Sequence, residues 1–257
     1  MTSSHQRMLN KVPQITLWFW IVKVMSTTVG ETGADYLAVH VGLGPLVTGA
    51  VMTALLIAAM ILQLRADRYV PWVYWLAVVL VSVVGTQITD ALTDGLGVSL
   101  YLSTFVFAAG LAAIFIAWYS HERTLSIRTI FTRRRELYYW AAILCTFALG
   151  TAAGDLATEA LGLGFQLGVV IFGAVIACTA VAYYLGAGDV LTFWVAYIFT
   201  RPLGASLGDL LSQARTYGGL GFGTAVTSAI FLAVIVGLVV LMTRAEATAA
   251  GRQQGRA

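Results

Sequence analysis

Apolar residues run along this chain in eight stretches of about twenty, joined by short polar or charged links. They cover roughly 14–36, 45–64, 70–94, 99–119, 137–160, 165–185, 190–212 and 221–243. About twenty apolar residues match the hydrocarbon thickness of a bilayer, so the pattern predicts eight transmembrane helices. Four of them are plain, rich in Ala, Gly, Val, Leu and Ile, as lipid contact and close packing require. The other four interrupt their apolar run with polar residues at fixed places.

Those places form a repeat. An aromatic residue precedes Trp, and Gly and Asp follow at constant offsets. The four copies are Phe19-Trp20…Gly30…Asp35, Tyr74-Trp75…Gly85…Asp90, Tyr139-Trp140…Gly150…Asp155 and Phe193-Trp194…Gly204…Asp209. Each Asp lies fifteen residues after its Trp and five after its Gly. A fixed offset of this kind marks internal duplication. The predicted fold is all-α: eight transmembrane helices built as four parallel two-helix repeats, at about 11–64, 65–121, 130–186 and 187–243 of a single membrane domain, 1–257. The polar ends, about 1–12 and 245–257, read as frayed tails.

Helical periodicity puts the repeat's polar atoms on one face. At about 100° per residue, Trp, the residue at +11 and the Asp at +15 share an arc with Lys23 and Arg201, about 120° wide. The +11 residue is Glu31, Thr86, Thr151 or Ala205. Ionisable side chains in a membrane face the bundle interior, so this arc points inward. The Gly lies at its edge, where it permits either close approach of a neighbour or a local break. Fifteen residues of helix rise about 22 Å, so Trp and Asp sit near opposite membrane surfaces. The four Trp residues read as packing or interface anchors. Arg201 is followed by Pro202, which predicts a bend carrying a charge.

Composition agrees with a membrane chain: 59% of residues are hydrophobic and only 11% charged, where a soluble domain carries about 25%. Lys and Arg in the links divide unequally. Arg7, Lys11, Arg65, Arg68, Arg123, Arg128, Arg133, Arg134, Arg135, Arg244, Arg252 and Arg256 fall on one side and Arg215 alone on the other. The positive-inside rule then places both termini in the cytoplasm of a bacterial inner membrane. The first apolar run contains Lys23 and lacks a small-residue cleavage site, so it does not read as a removable signal. The net charge of +3 reflects a basic cytoplasmic face, and nucleic acid is not an expected partner. Cys145 and Cys178 suggest neither a disulfide framework nor a metal site.

The segment from Lys11 to Trp20, Lys-Val-Pro-Gln-Ile-Thr-Leu-Trp-Phe-Trp, and the segment Thr28 to Asp35, Thr-Val-Gly-Glu-Thr-Gly-Ala-Asp, resemble the first repeat of a bacterial family of integral membrane proteins. Its members carry four tandem two-helix units with a characteristic tryptophan and are usually labelled uncharacterized membrane-anchored proteins. The resemblance covers about 11–243 and implies the fold and topology, with no activity attached.

The candidate chemistry is a carboxylate cluster. Glu31/Asp35, Asp90/Asp94 and Asp155/Glu159 are spaced one helical turn apart, and Asp209 is followed at that spacing by Gln213. Seven acids thus lie in the outer halves of the motif helices, against the two embedded bases Lys23 and Arg201. Crowded carboxylates attract a cation or hold protons. Oxygen ligands with Thr and Gln suit hard ions such as Mg²⁺, Mn²⁺, Ca²⁺ or Na⁺. His5, His40 and His121 stand outside the repeat, which argues against softer metals. The expected function is transport of a small cation through Glu31, Asp35, Asp90, Asp155 and Asp209, with the four Asp as the metal ligands. Manganese and proton coupling are the specific guesses. Lys23, Arg201 and Pro202 would serve as gate or counter-charge. Lys23 either snorkels to the cytoplasm or pairs with an acid. No resident cofactor is expected beyond a bound divalent ion.

Two other readings stand beside it. A scaffold or sensor would use the basic 122–136 link on lipid or a partner. An intramembrane hydrolase fits less well and no enzyme is expected: Asp35 is followed rather than preceded by Tyr36, Gly208-Asp209 lacks the earlier Gly, and no HExxH or GxSxG occurs.

Overall fold

The computed structural model describes residues 10–37, 41–42 and 44–254. Arg7, His5, His40 and Arg256 lie outside the described residues. Eight long helices are present: α1 (Leu17–Asp35), α2 (Gly44–Arg65), α3 (Pro71–Asp90), α4 (Leu100–Glu122), α5 (Arg133–Asp155), α6 (Gly164–Tyr184), α7 (Asp189–Ser212) and α8 (Thr224–Gln254). Local sequence explains several starts. Thr16, Ser99 and Thr132 cap α1, α4 and α5 by accepting a backbone N–H three residues on. Pro71 opens α3, where its missing N–H costs nothing.

Seven of the helices are long and apolar enough to cross a membrane; α1 is the exception. Its Ser26-Thr27-Thr28 run, Lys23 and Glu31 lower its hydropathy, yet it packs side by side with the spans α3 and α7.

The motif helices α1, α3, α5 and α7 form a closed inner ring, each touching the next and α7 returning to α1. Each plain helix leans on the motif helix of the following repeat: α2 on α3, α4 on α5, α6 on α7, and α8 on α1. In α3, α5 and α7, 56–61% of the span is buried, against 11–17% in the four plain helices. The plain helices are therefore the apolar outer wall. Contacts across the boundary between the two four-helix halves (α3 with α5, α7 with α1) are as extensive as those within a half.

Beyond the motif Asp, α3 and α5 each widen into a single i→i+5 turn, Ala91–Gly95 and Leu156–Ala160. The same widening begins at Tyr36–Leu37, whereas α7 stays α-helical through Asp209 to Ser212. Such turns are rare and often mark functional positions. Gly97 (φ 68°) and Gly162 (φ 70°) then reverse the chain in a conformation that other residues seldom adopt.

Residues 1–9 and 255–257 of the tails expected to fray lie outside the described residues, while the described parts are structured. The Ala-rich stretch after Met242 favours helix, and α8 continues to Gln254. Residues 10–13 are seated: Val12 and Pro13 are buried, and Lys11 Nζ lies 2.7 Å from the buried Glu136 carboxylate, which also accepts from Gln63 Nε2 at 3.1 Å.

Candidate ion site on the axis of the helix ring

The motif aromatics close one end of the ring. The aromatic before each Trp reaches the Trp of the next repeat: Phe19–Trp75 at 5.6 Å, Tyr74–Trp140 at 5.5 Å, Tyr139–Trp194 at 6.4 Å and Phe193–Trp20 at 5.7 Å between ring centroids. The last contact joins the fourth repeat to the first, so the girdle is continuous. Aromatic pairs at such distances add about 0.5–1.5 kcal/mol each beyond burial. The Tyr74 and Tyr139 hydroxyls share a 2.6 Å hydrogen bond inside it. Trp194 donates Nε1–H to the Leu125 carbonyl at 3.0 Å, tying the girdle to the link between the halves.

One turn further in stand Lys23 and Tyr197, three residues after their Trp. Lys23 is only 1% exposed. Its ammonium neither reaches the surface nor meets a carboxylate, the two arrangements its sequence position suggests. It rests 3.8 Å from the Phe147 ring centre and 4.2 Å from that of Tyr197, with no hydrogen-bond partner. The aromatic faces stabilise it by cation–π attraction.

The repeat glycines mark the closest approach of the motif helices. A Cβ on Gly30 would overlap Ser82, on Gly85 Phe147, on Gly150 Arg201, and on Gly204 Thr27. Each of those partners lies seven residues after its own Trp, so one contact is repeated around the ring. The hydroxyls of Thr27 and Thr28 tie α1 to α7 through the Thr200 and Gly204 carbonyls at 3.2 and 3.1 Å. Thr89 does the same from α3 to Ala148 of α5 at 3.0 Å.

Arg201 occupies the middle of the ring at this level, 1% exposed. Its Nη2 donates to Glu31 Oε2 at 2.6 Å and to Thr86 Oγ1; its Nε donates to Thr151 Oγ1 at 3.1 Å, and its Nη1 to the Thr27 carbonyl at 3.1 Å. One side chain of the fourth repeat thus bonds all three others. Pro202 does not break α7, which runs unbroken past it; its ring packs where Gly150 and Gly154 leave room.

The acids lie beyond this plug. Glu31 and Asp209 are buried, Asp35, Asp90 and Asp155 half-buried, and Asp94 and Glu159 exposed. Both Glu31 and Arg201 lie within electrostatic reach of all four motif Asp residues. The ring therefore gathers Glu31, Asp35, Asp90, Asp155 and Asp209 around one mouth, with Arg201 at its floor. Among the described residues no three His, Cys, Asp or Glu side chains stand close enough together to hold a metal ion as they are. Any ion here would have to draw the carboxylates inward.

Sequence reasoning gave no role to Thr27, Phe147, Tyr197 or the Tyr74–Tyr139 pair. Aligning the repeats at +3 and +7 from Trp would have picked out the first three.

The basic link is largely engaged by the protein itself. Arg135 pairs with Glu122 at 2.8 Å and donates to the Thr129 carbonyl, Arg133 donates to the Leu64 carbonyl, and Arg128 meets Asp189 at 3.0 Å.

A family model described as Repeat of Unknown Function (DUF347) matches the chain four times, at residues 18–69, 73–124, 138–188 and 192–248. The chain belongs to that family. No curated protein and no solved structure matches it.

Proposed function

We propose that this DUF347-repeat protein moves a small cation across the membrane, with the acid mouth as its binding site and Arg201 as a tethered cation that holds the site until the ion arrives. The Arg201–Glu31 ion pair on the ring axis carries this reading. A buried ion pair is weak evidence for stability, since its desolvation offsets its attraction. This one sits below the four motif Asp carboxylates, where an incoming cation would compete for Glu31. The reading places the Trp end at the cytoplasm and the acid mouth on the outer side of a bacterial inner membrane.

The floor and the girdle give the cycle two closures in series. An ion that displaces Arg201 from Glu31 opens the first; the aromatic girdle, sealed by Tyr74 and Tyr139, is the second. The equal contacts around the ring favour local movement of Arg201 over rocking of the two halves. Oxygen ligands from the acids and from Thr86 and Thr151 favour a hard ion, with Mn²⁺ the divalent candidate. Proton coupling fits a cluster of carboxylates that share charge. The ion is cargo, and no catalytic role is assigned. A scaffold acting through the basic link is less favoured, because Arg128, Arg133 and Arg135 already have partners within the protein.

Calorimetric titration of the purified protein with Mn²⁺, Mg²⁺, Ca²⁺ and Na⁺ tests the reading. Saturable binding of one ion, lost in a folded Asp90→Asn/Asp155→Asn variant, is the expected result. No binding of any of the four would remove the acid mouth as a site for these ions.

A further inference from the structure

Among the described buried polar groups without a hydrogen-bond partner, which include Tyr197 Oη, Ser82 Oγ and the Trp75 and Trp140 Nε1 atoms, Lys23 is the one cationic side chain. Arg201 has four bonds to oxygen and the Tyr74 and Tyr139 hydroxyls have each other, while the Lys23 ammonium has only ring faces. Buried polar side chains without partners are few in native structures, and each calls for an explanation. Lysine, unlike arginine, can give up its proton inside a protein. Lys23 also feels the charge of Arg201 directly.

Charge balance links the two. With Arg201 on Glu31, that pair is neutral and Lys23 is the one uncompensated cation near it. A metal ion or Na⁺ on Glu31 frees Arg201 and adds positive charge near Lys23, of which the four motif Asp carboxylates offset only a part. Loss of one proton from Lys23 relieves that repulsion.

We propose that Lys23 exchanges a proton for the incoming cation: its ammonium releases one proton when an ion takes the place of Arg201 on Glu31, and regains it when the ion leaves. The inference rests on the acid mouth being a cation site. In the step an Nζ–H bond breaks, the electron pair stays on nitrogen as the neutral amine, and the proton leaves by way of the mouth carboxylates to outside water once Arg201 has moved off Glu31. The protein would therefore run as a cation–proton exchanger. The titratable or charged groups that bear on Lys23 are Arg201, by its charge, and Tyr197, by its ring, both of α7; the Tyr74–Tyr139 hydroxyl pair of α3 and α5 and Glu31 of its own helix are the other such groups along the axis, and the membrane part of α8, residues 224–243, has no titratable side chain.

The test counts protons. Mn²⁺ is titrated into wild type and Lys23→Met in buffers of different ionisation enthalpy at several pH values, and the titration is repeated with Na⁺. The acids contribute protons in both proteins. The expected difference is about one proton fewer per bound ion in Lys23→Met, with the slope of log affinity against pH smaller by about one. Lys23→Met should also bind Mn²⁺ more tightly at low pH, because a competing positive charge is gone. Lys23→Gln should repeat both results, and thermal unfolding should show both variants folded. Equal proton counts in wild type and both variants, with binding retained, overturn the role of Lys23 alone. Failure of wild type to bind either ion overturns the cation reading and this inference together. Unfolded Lys23→Met and Lys23→Gln would also overturn it, since the amine would then be structural.

Discussion

The two ends of the inner ring are built from the same repeat and have become different things. At the Trp end all four repeats contribute the same contact, an aromatic ring against the next Trp, and the result is a closed layer of packed rings. At the Asp end the repeats share an Asp but differ at +7 and +11, where Thr27, Ser82, Phe147 and Arg201 precede Glu31, Thr86, Thr151 and Ala205. Four identical arginines could not share one axis, because their charges would repel. One arginine with two hydroxyls, one backbone carbonyl and one carboxylate can. Packing tolerates fourfold symmetry, whereas a charged plug on the symmetry axis demands that it break.

The comparison is most sharply broken at the plug. Arg201→Met leaves Glu31 buried without its partner and should destabilise the protein by about 3–5 kcal/mol. Thermal unfolding in detergent followed by circular dichroism reads the change. Adding Glu31→Gln should recover much of the loss; a double variant as unstable as Arg201→Met alone would mean that the arginine acts by packing.

Next comes the level where the helices touch. Gly204→Ala places a methyl group against Thr27 and the backbone of Thr28. Overpacking of this kind costs about 1–3 kcal/mol. The same substitution at Gly33, whose nearest neighbour is 3.9 Å away, should leave the unfolding midpoint unchanged or raised, since Ala favours helix. Equal losses at the two sites would show that close approach is not what the repeat glycine provides.

The girdle should respond less. Tyr74→Phe leaves the ring contacts in place and removes one hydroxyl from the buried pair. The expected loss is about 1 kcal/mol, measured by the same unfolding experiment, and Tyr139→Phe should match it. A surface acid should respond least: Asp94→Asn, exposed at the mouth, should change stability by less than about 0.5 kcal/mol. A larger effect would mean that Asp94 belongs to the buried cluster.

Much of the fold was legible because the repeat was written into the chain. Eight apolar runs of membrane length gave the helices to within a few residues, apart from the C-terminal end of α8, which runs on to Gln254, and the Trp–Gly–Asp spacing gave four units. The helical angles of Trp20, Lys23 and Glu31 could be computed on one isolated helix, so an inward-facing polar arc was accessible. The identity of the neighbour was not. Angles on α7 place Arg201 on a face, but whether it meets Glu31, an Asp or Lys23 depends on which helix closes the ring beside it. Neither a route to the cytoplasm nor an acid partner came to Lys23 for that reason, since the ring gave it Phe147 and Tyr197; its reading as a counter-charge stands apart from that. The described part of the N-terminal tail adds a contact of the same kind: Lys11, read as a topology signal, also meets Glu136, 125 residues away, at 2.7 Å.

By itself the sequence determined the membrane class, the number of helices, the parallel repeat and the set of ionisable groups inside it. These follow from composition and from periodicity along one strand of chain, which need no knowledge of neighbours. Tertiary structure decided the cyclic order, the lean of each outer helix onto the following repeat, the aromatic closure and the single arginine bonded to three other repeats. Those depend on contacts between residues up to 196 positions apart, and only the closed ring brings them together.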